Sequence, residues 1–203
     1  MAQHPENQTA NPKLDTDSPV PSDPQSGGHA SASTEEHRAQ APESVRCFVL
    51  TVSDTRTAAD DRGGALICEI LRAAGHQIVG SQIVRDEKAA ITSAVQAELD
   101  GVSDPEAIIV TGGSGIGERD VTPEALRPLL TKEIPGFGEV FRVLSYHEVG
   151  AATMLSRAFA GVMGRTLLFV LPGSTNAVRL AMEKLVAPEL GHLVREIRPE
   201  RRI

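Results

Sequence analysis

From residue 45 onward, short apolar runs alternate with segments whose apolar positions repeat every three to four residues. The runs predict strands buried on both faces, and the periodic segments predict amphipathic helices. Strands that alternate with helices are typical of α/β proteins with a mostly parallel sheet. We therefore expect a single three-layer α/β domain over residues 45–203, with helices covering both faces of the sheet.

The predicted strands span residues 45–52, 77–84, 107–110 and 166–171, with a further extended segment at 139–143. The predicted helices span residues 64–74, 88–99, 121–130, 151–159 and 176–186, and a last helix begins at Pro188. Ligands of such sheets bind at the carboxyl ends of the strands. The loops that follow the predicted strands are therefore the expected place for a site.

Residues 1–44 differ in composition from the rest of the 203-residue chain. They are rich in Pro, Ser, Gln, Asn and Ala and contain no aromatic residue, so they cannot bury enough apolar surface to offset the entropy of ordering. We predict a disordered tail. It holds seven acidic and two basic residues, or −5 of the formal net charge of −7. This balance argues against a nucleic acid partner, which requires a basic face.

The chain shows neither a signal peptide nor a membrane span. The first thirty residues lack a basic start followed by an apolar core, and the longest apolar run, residues 167–171, is far too short to cross a bilayer. We expect a cytoplasmic protein with no membrane partner. Cys47 and Cys68 lack the spacing of a metal site, so we predict two buried free thiols.

The most informative segment is the run TGGSGIGERDVTPEA, which begins at Thr111. It follows an apolar strand and contains four glycines, whose backbone adopts positive φ readily and can approach a ligand closely. Thr122 then occupies the position of a helix N-cap, and Pro123 that of the first helical residue. A strand, a glycine loop and a helix in this order predict an anion site, because the N–H groups and dipole of a helix N-terminus attract phosphate.

Two common phosphate motifs do not fit this loop. A P-loop requires Lys and a hydroxyl residue where this chain has Glu118 and Arg119. A dinucleotide fingerprint beginning at Gly113 requires a third glycine at position 118. Asp120 is a further difference, because a carboxylate beside a phosphate-binding helix end needs a cation or a ligand donor to offset its charge. The residues therefore indicate Mg²⁺ or a ligand N–H group near Asp120.

Small and polar residues also follow the other predicted strands. They are Ser53 and Asp54 after the first strand, Asp86 after the second, and Pro172, Gly173 and Ser174 after the last. Because the carboxyl ends of parallel strands meet at one edge of a sheet, we expect these residues to converge on the glycine loop. The segment from Pro172 suits an ordinary turn and a second anion-binding loop equally well.

The glycine run closely resembles the motif of the MoaB/Mog family, whose proteins act on molybdopterin during synthesis of the molybdenum cofactor. Other segments resemble that family in the same order, over roughly residues 45–197. They are TVSD from Thr51, IVRDE from Ile83, GFGEVFR from Gly136, SRA from Ser156 and LPGS from Leu171. Coincidence is a poor explanation for five ordered matches. Residues 136–141 and 145–161 are more similar to the MoaB branch than to the Mog branch.

The resemblance implies an adenylyl transfer, in which the terminal phosphate of molybdopterin attacks the α-phosphate of ATP and pyrophosphate leaves. Molybdopterin, ATP and Mg²⁺ are then the expected ligands. By analogy with the family, Asp86 and Asp120 are the expected catalytic residues and metal ligands. The expected substrate-binding residues are Ser53, Asp54, Thr111, Gly112, Gly113, Ser114, Gly115, Arg157, Pro172, Gly173 and Ser174. Arg119 is a further candidate for phosphate contact.

Three other functions stay open at this point. Some members of the MoaB branch are thought to lack transferase activity, so one alternative binds molybdopterin without catalysis. A competence-damage-type domain that acts on nucleotide-like substrates is the second, and a structural protein whose glycine loop is only a turn is the third. The family forms trimers or hexamers, which implies a homo-oligomer. Other proteins of cofactor synthesis are further candidate partners.

Overall fold

The computed structural model describes residues 41–198 and residue 200, so most of the predicted tail lies outside the described residues. Within this range six strands form one sheet, in the order β2-β1-β3-β6-β5-β4. They are β1 (Arg46–Val52), β2 (Gln77–Val84), β3 (Ala107–Thr111), β4 (Lys132–Glu133), β5 (Phe159–Met163) and β6 (Thr166–Leu171). Strands β2, β1, β3 and β6 are mutually parallel, whereas β5 is antiparallel to both β6 and β4.

Helices cover both faces of this sheet. They are α1 (Arg62–Ala73), α2 (Lys88–Asp100), α3 (Thr122–Leu126), α4 (Pro135–Val149), α5 (Thr175–Ala181) and α6 (Ala187–Ile197). Short 3₁₀ segments follow α3 and α4, at Arg127–Leu129 and Gly150–Leu155, and a π-helical turn, Met182–Val186, joins α5 to α6. One face packs against α1, α4, α5 and α6, and the other against α2 and α3. The expected three-layer α/β fold is confirmed.

The prediction of extended structure at 139–143 is wrong, because these residues lie in the middle of α4. A helix brings Phe137, Phe141 and Ser145 onto one buried face, at a spacing of four residues. Pro135 starts the helix, where its missing N–H group leaves no hydrogen bond unmade. The free energy gained by burying this face outweighs the local alternation of apolar and polar residues, which favours a strand.

Three other boundaries differ from the prediction. Residues 151–159 do not form one helix, since a 3₁₀ segment ends at Leu155 and Phe159 begins β5. The predicted helix 121–130 consists of α3 and a 3₁₀ turn. Its N-cap is Val121, and Thr122 is the first helical residue, whose hydroxyl donates to the carbonyl of Gly112 at 3.0 Å. The short strands β4 and β5 had no counterpart in the prediction.

The amino edge of the sheet, opposite the site, is closed by buried charges. Glu106 is fully buried, accepts the N–H of Arg46 at 2.9 Å and lies 4.0 Å from the guanidinium of Arg198. Arg198 also donates to Asp104 at 3.0 and 3.1 Å. Buried charges are costly unless they are paired, so this network fixes the end of α6 against the starts of β1 and β3.

Several smaller expectations concern the described residues. Cys47 and Cys68 are buried free thiols, as predicted. No helix in the described part of the chain is both long and apolar enough to span a bilayer. The domain boundary between residues 44 and 45 stays a prediction, and Pro42 is already buried, with its carbonyl against Gly191 of α6.

Candidate functional site

Four loops meet at the carboxyl edge of the parallel strands. In the sheet register, Thr51 of β1 pairs with Thr111 of β3, which pairs with Leu171 of β6, and Val52 pairs with Val84 of β2. Strands that end at one level place their following loops side by side. The strand order also reverses between β1 and β3, where α/β sheets form a ligand crevice. The structure therefore brings together the four predicted loops.

The start of the glycine loop requires glycine for both conformation and space. Gly112 has a φ of +100° and Gly113 a φ of +60°, in the region that residues with a Cβ rarely adopt. A Cβ on Gly112 would lie only 2.2 Å from the carbonyl oxygen of Val52. The N–H of Gly112 donates to the carbonyl of Leu171 at 3.2 Å, and Gly173 lies against its Cα. Gly112 thus contacts the ends of both neighbouring strands.

The glycine loop also leaves room for two carboxylates. A Cβ on Gly113 would lie 2.7 Å from Oδ1 of Asp86, and a Cβ on Gly115 would lie 2.8 Å from Oδ2 of Asp120. The N–H of Gly117 donates to that Oδ2 at 2.8 Å. The two expected catalytic aspartates therefore lie beside the same loop, in positions that side chains on these glycines would obstruct.

Asp86 is half-buried among like charges. Burial raises the pKa of its carboxyl, and the nearby carboxylates of Asp54 and Asp120 raise it further, while the N–H of Asp54 and the guanidinium of Arg119 oppose the rise. Arg119 forms a bidentate pair with Asp54, with N–O distances of 2.8 to 3.0 Å. Asp54 also accepts the N–H of Asp86 at 3.2 Å. Asp54 thus connects three of the four loops.

Asp86 and Asp120 suit a magnesium ion that is shared with a substrate. In the described residues, no group of three or more His, Cys, Asp or Glu side chains is placed to hold a metal. Mg²⁺ is commonly bound through one or two carboxylates, with water and substrate phosphates completing its shell. Two carboxylates beside one loop match that donor set, and the repulsion that raises the pKa of Asp86 is the kind that a cation relieves.

Two expected ligand-binding hydroxyls join the site loops to each other. The hydroxyl of Thr111 donates to the carbonyl of Pro172 at 2.9 Å, and that of Ser114 donates to the carbonyl of Leu171 at 3.3 Å. Both residues are nearly fully buried. These hydroxyl hydrogen bonds therefore hold the glycine loop to the end of β6 and the loop that follows it.

Ser53 and Ser174 stabilise their own loops. The hydroxyl oxygen of Ser53 accepts the N–H groups of Thr55 and Arg56 at 3.3 and 3.2 Å. The hydroxyl oxygen of Ser174 accepts the N–H of Ala177 at 3.4 Å and caps α5. Serine is a favoured residue at a helix N-cap, because its oxygen satisfies an N–H group of the first turn.

Arg157, an expected substrate-binding residue, has hydrogen bonds to the glycine loop itself. Its Nε donates to the carbonyl of Gly115 and its Nη2 to that of Asp120, both at 2.6 Å. Its Nη1 pairs with the carboxylate of Glu124. The structure does bring Arg157 to the glycine loop, but its guanidinium binds the loop backbone and lines a cavity of about 470 Å³ next to α3 and α4.

Two adjoining clefts open at this edge of the sheet. One, of about 380 Å³, is lined by residues 113–115, Asp120, residues 155–156 and residues 172–173. The other, of about 210 Å³, is lined by the ends of β1 and β3, by Arg56 and by residues 61–63. Gly173 lines both clefts. The site therefore has room for two ligand groups, one in each cleft, with the backbone of Gly173 between them.

Sequence reasoning missed the part of the second cleft that lies between β1 and α1. Asp61 caps α1 by accepting the N–H of Gly64 at 2.9 Å, and it accepts the hydroxyl of Thr51 at 2.6 Å. Arg56 and Arg62 line the same cleft. An Asp immediately before a periodic apolar segment is a recognisable N-cap signal, and it would have placed the start of α1 two residues earlier.

Known sequences are similar to this chain over most of its length. Residues 48–192 match a family model described as "Probable molybdopterin binding domain". A protein named Molybdenum cofactor biosynthesis protein B from Bacillus subtilis (strain 168) is 52% identical over 171 residues, covering 83% of this chain and 99% of that protein. A protein of the same name from Staphylococcus carnosus (strain TM300) is 54% identical over 156 residues, covering 75% of this chain and 91% of that protein.

Solved structures share the fold. A crystal structure of a molybdenum cofactor biosynthesis protein B is 50% identical, with a TM-score of 0.75, and the match covers 79% of this chain and 99% of that one. The tungsten cofactor synthesizing protein MoaB from Pyrococcus furiosus is 38% identical, with a TM-score of 0.67 and coverage of 78% and 99%. The residues matched by the family model include all four loops of the site.

Proposed function

The chain belongs to the MoaB/Mog family of molybdenum cofactor biosynthesis, and from that premise we propose that it binds molybdopterin and transfers AMP to it from ATP. A terminal phosphate oxygen of molybdopterin attacks the α-phosphorus of ATP and forms a new P–O bond. The bond from the α-phosphorus to the oxygen that bridges it to the β-phosphate breaks, and pyrophosphate leaves. The observation that carries the proposal is the meeting of Asp86 and Asp120 at the glycine loop.

This reaction requires positioning and charge stabilisation from the protein. The attacking phosphate is already ionised at neutral pH, so no side chain has to remove a proton from it. Catalysis then comes from holding two polyanions in line and from stabilising the charge that develops between them. Two clefts that adjoin at Gly173 suit two substrates that react at one point.

We assign the expected residues to this reaction as follows. Asp86 and Asp120 orient the reacting phosphates and hold Mg²⁺, which when bound would supply positive charge beside them. The backbone of residues 113–115 donates to phosphate oxygens, because loops without bulky side chains let their N–H groups approach an anion. Thr111 and Gly112 hold this loop against the end of β6. Ser53, Pro172 and Gly173 line the clefts around the substrates, while Asp54 joins the loops beside them and Ser174 caps the helix that follows.

We also propose a homo-oligomer, from an apolar stripe on α4 and the 3₁₀ segment that follows it. The stripe consists of Val140, Val143, Tyr146, Val149, Met154 and Leu155, each between 47% and 77% exposed. On α4 these residues recur every three positions, so each lies beside the next on a stripe that winds around the helix. A group of exposed apolar side chains of this kind is typical of an interface. The cytoplasmic location and an association with other proteins of cofactor synthesis stay predictions.

The test is formation of adenylylated molybdopterin and pyrophosphate by the purified protein supplied with molybdopterin, ATP and Mg²⁺. Asp120→Asn keeps an oxygen that can accept the N–H of Gly117 but removes the charge. We expect it to lower kcat/KM by about 10²-fold or more. Glu118→Gln removes one charge from an exposed residue of the same loop, so it is the matched control, and we expect a change within about twofold.

The possible outcomes separate the functions that the sequence left open. Product from the parent and from Glu118→Gln, with its loss in Asp120→Asn, would establish the transferase. Tight pterin binding without product in the parent would identify a binding protein of the MoaB branch that lacks catalysis. Binding of neither molybdopterin nor ATP would reduce the glycine loop to a structural turn and overturn the proposal.

A further inference from the structure

Arg157 connects the start of the antiparallel part of the sheet to the glycine loop. It precedes β5 by two residues, and its backbone N–H donates to the carbonyl of Ser114 at 3.1 Å. Its guanidinium donates to the carbonyls of Gly115 and Asp120, at 2.6 Å each, and pairs with Glu124. One side chain thus holds both ends of the turn that runs from Gly115 to Asp120.

The turn between Gly115 and Asp120 has little packing of its own. Its four inner residues are all exposed, and the side chain of Ile116 is 69% exposed. Inside the turn, the N–H of Gly117 donates to the carboxylate of Asp120, and the N–H of Asp120 donates to the carbonyl of Gly117 at 3.0 Å. These bonds close the turn without fixing it to the sheet. Arg157 provides that connection at both ends of the turn, and the bidentate pair of Arg119 with Asp54 provides a second, exposed connection from within it.

The same contacts argue against phosphate binding by Arg157. Its Nε, Nη1 and Nη2 each already donate a hydrogen bond, and the carboxylate of Glu124 offsets the charge of the guanidinium. Arg157 lines the cavity next to α3 and α4, whereas Asp120 lines the 380 Å³ cleft and Ser156 lines both. Three of the five N–H groups of the guanidinium are therefore engaged within the protein, and a substrate phosphate could bind only through the remaining two, one on each Nη.

We infer that Arg157 is a positioning residue for Asp120, which fixes the turn so that the Asp120 carboxylate stays near Asp86, and that it does not bind substrate. The consequence for catalysis rests on the proposed adenylyl transfer. The positioning itself is a property of the protein without substrate, so it can be measured independently of any activity.

Hydrogen exchange at the Gly117 amide reports this positioning directly, because the Asp120 carboxylate protects that amide. We expect Arg157→Ala to accelerate its exchange by roughly tenfold or more, while the amides of β3 keep their protection. Arg157→Lys should lie in between, since one ammonium cannot replace three directed donors. Arg142→Ala is the matched control, because it removes a second guanidinium from the same cavity, one that donates to the carbonyl of Ala158.

Kinetics distinguish positioning from substrate binding. For a positioning residue we expect Arg157→Ala to lower kcat by roughly ten- to a hundredfold and to change the KM for ATP by less than about threefold. A guanidinium ion added at low, non-denaturing concentration should restore part of the Gly117 protection. A large rise in the KM for ATP or molybdopterin, with unchanged exchange at Gly117, would make Arg157 a phosphate ligand and overturn the inference.

Failure of the proposed function and failure of this inference give different results. If the parent protein forms no product, the transferase proposal fails, while exchange at Gly117 still decides the role of Arg157. If Arg157→Ala does not fold, Arg157→Lys supplies the same comparison, and unchanged Gly117 exchange in that variant counts against the inference.

Discussion

The molecule divides into a parallel part, strands β2, β1, β3 and β6 with the segments that connect them, and an antiparallel part, strands β4 and β5 with α4. The two parts differ in how far their side chains are packed within one chain. In the parallel part, β2, β1, β3 and β6 end at one level, and their loops are fastened to each other by buried hydroxyls and backbone contacts. In the antiparallel part, α4 packs one face inward and leaves apolar side chains such as Val143 and Tyr146 about 60% exposed. The first part builds the candidate site within one chain, and the second supplies an anchor for that site and an apolar surface that one chain leaves uncovered.

The largest loss of stability is expected at Gly112 in the parallel part, where no side chain fits. Gly112→Ala would introduce a Cβ 2.2 Å from the carbonyl oxygen of Val52, at a φ of +100°. Because this oxygen belongs to the backbone of β1, it cannot make room by a change of side-chain rotamer. We expect the free energy of unfolding to fall by about 3 kcal/mol or more, with loss of ligand binding. Chemical denaturation measures the change.

Gly136→Ala in the antiparallel part is the matched control for that substitution. Gly136 lies in the first turn of α4, and a Cβ there would meet no atom within 4 Å. Since Ala loses less entropy than Gly on joining a helix, we expect an unchanged stability or a gain of up to about 1 kcal/mol. Equal losses at both positions would contradict the contrast between the two parts.

The next effect concerns assembly. Val143 lies in the middle of the apolar stripe and is 60% exposed. Val143→Glu places a charge in the proposed interface, and burying an unpaired charge is costly, so we expect the oligomer to dissociate. The fold of the single chain should stay intact, because the side chain is not part of the core. Light scattering over a range of protein concentrations measures the assembly, and circular dichroism checks the fold.

Val102→Glu makes the same chemical change in the parallel part. Val102 is fully exposed in the loop after α2, and it lies outside the apolar stripe. A single exposed apolar residue is ordinary in soluble proteins, so we expect this variant to assemble like the parent. A parent that is monomeric at all concentrations, or a Val143→Glu variant of unchanged mass, would remove the stripe as an interface.

The parallel part is also the part that the sequence predicts well. Strand β6 matches its predicted bounds, because a strand buried on both faces leaves a continuous apolar run in the sequence. The edge strand β2 also matches its predicted bounds, although its residues are exposed or half-buried. Helix α4 differs from its prediction, because its conformation depends on contacts with residues that are distant in the sequence. Phe137 packs edge-on against Phe169 of β6, with ring centroids 5.4 Å apart, and no local pattern contains that pair.

In the candidate site, too, some features follow from the sequence pattern and others depend on distant contacts. The meeting of Asp86 with the glycine loop follows from strand ends and register, which the sequence pattern indicates. The partners of Arg157 do not, because a positively charged residue in a sequence offers no sign of whether it will bind a phosphate or two backbone carbonyls. The hydroxyl of Ser114 is a similar case, since its partner belongs to another strand.

The smallest effect tests a buried titratable group at the amino edge of the parallel part. His76 is 9% exposed, and its Nδ1 accepts the N–H of Val45 at 3.3 Å. Burial lowers the pKa of His76 below the ordinary value of 6.5, although the nearby backbone of Ala187 opposes part of that change. The unfolded chain therefore takes up a proton at a higher pH than the folded protein.

The sign of the pH dependence follows from this difference. Above about pH 6.5 the imidazole is neutral in both states and costs no stability, and as the pH falls below 6.5 toward the folded pKa, protonation favours the unfolded chain. The slope from one such group cannot exceed about 1.4 kcal/mol per pH unit.

We expect His76→Gln, which keeps an acceptor for Val45, to unfold with a shallower pH dependence between pH 7 and 5 than the parent. His147→Gln changes an exposed imidazole on α4, so it should keep the parent's slope, and identical slopes in all three proteins would show that His76 is not the group responsible.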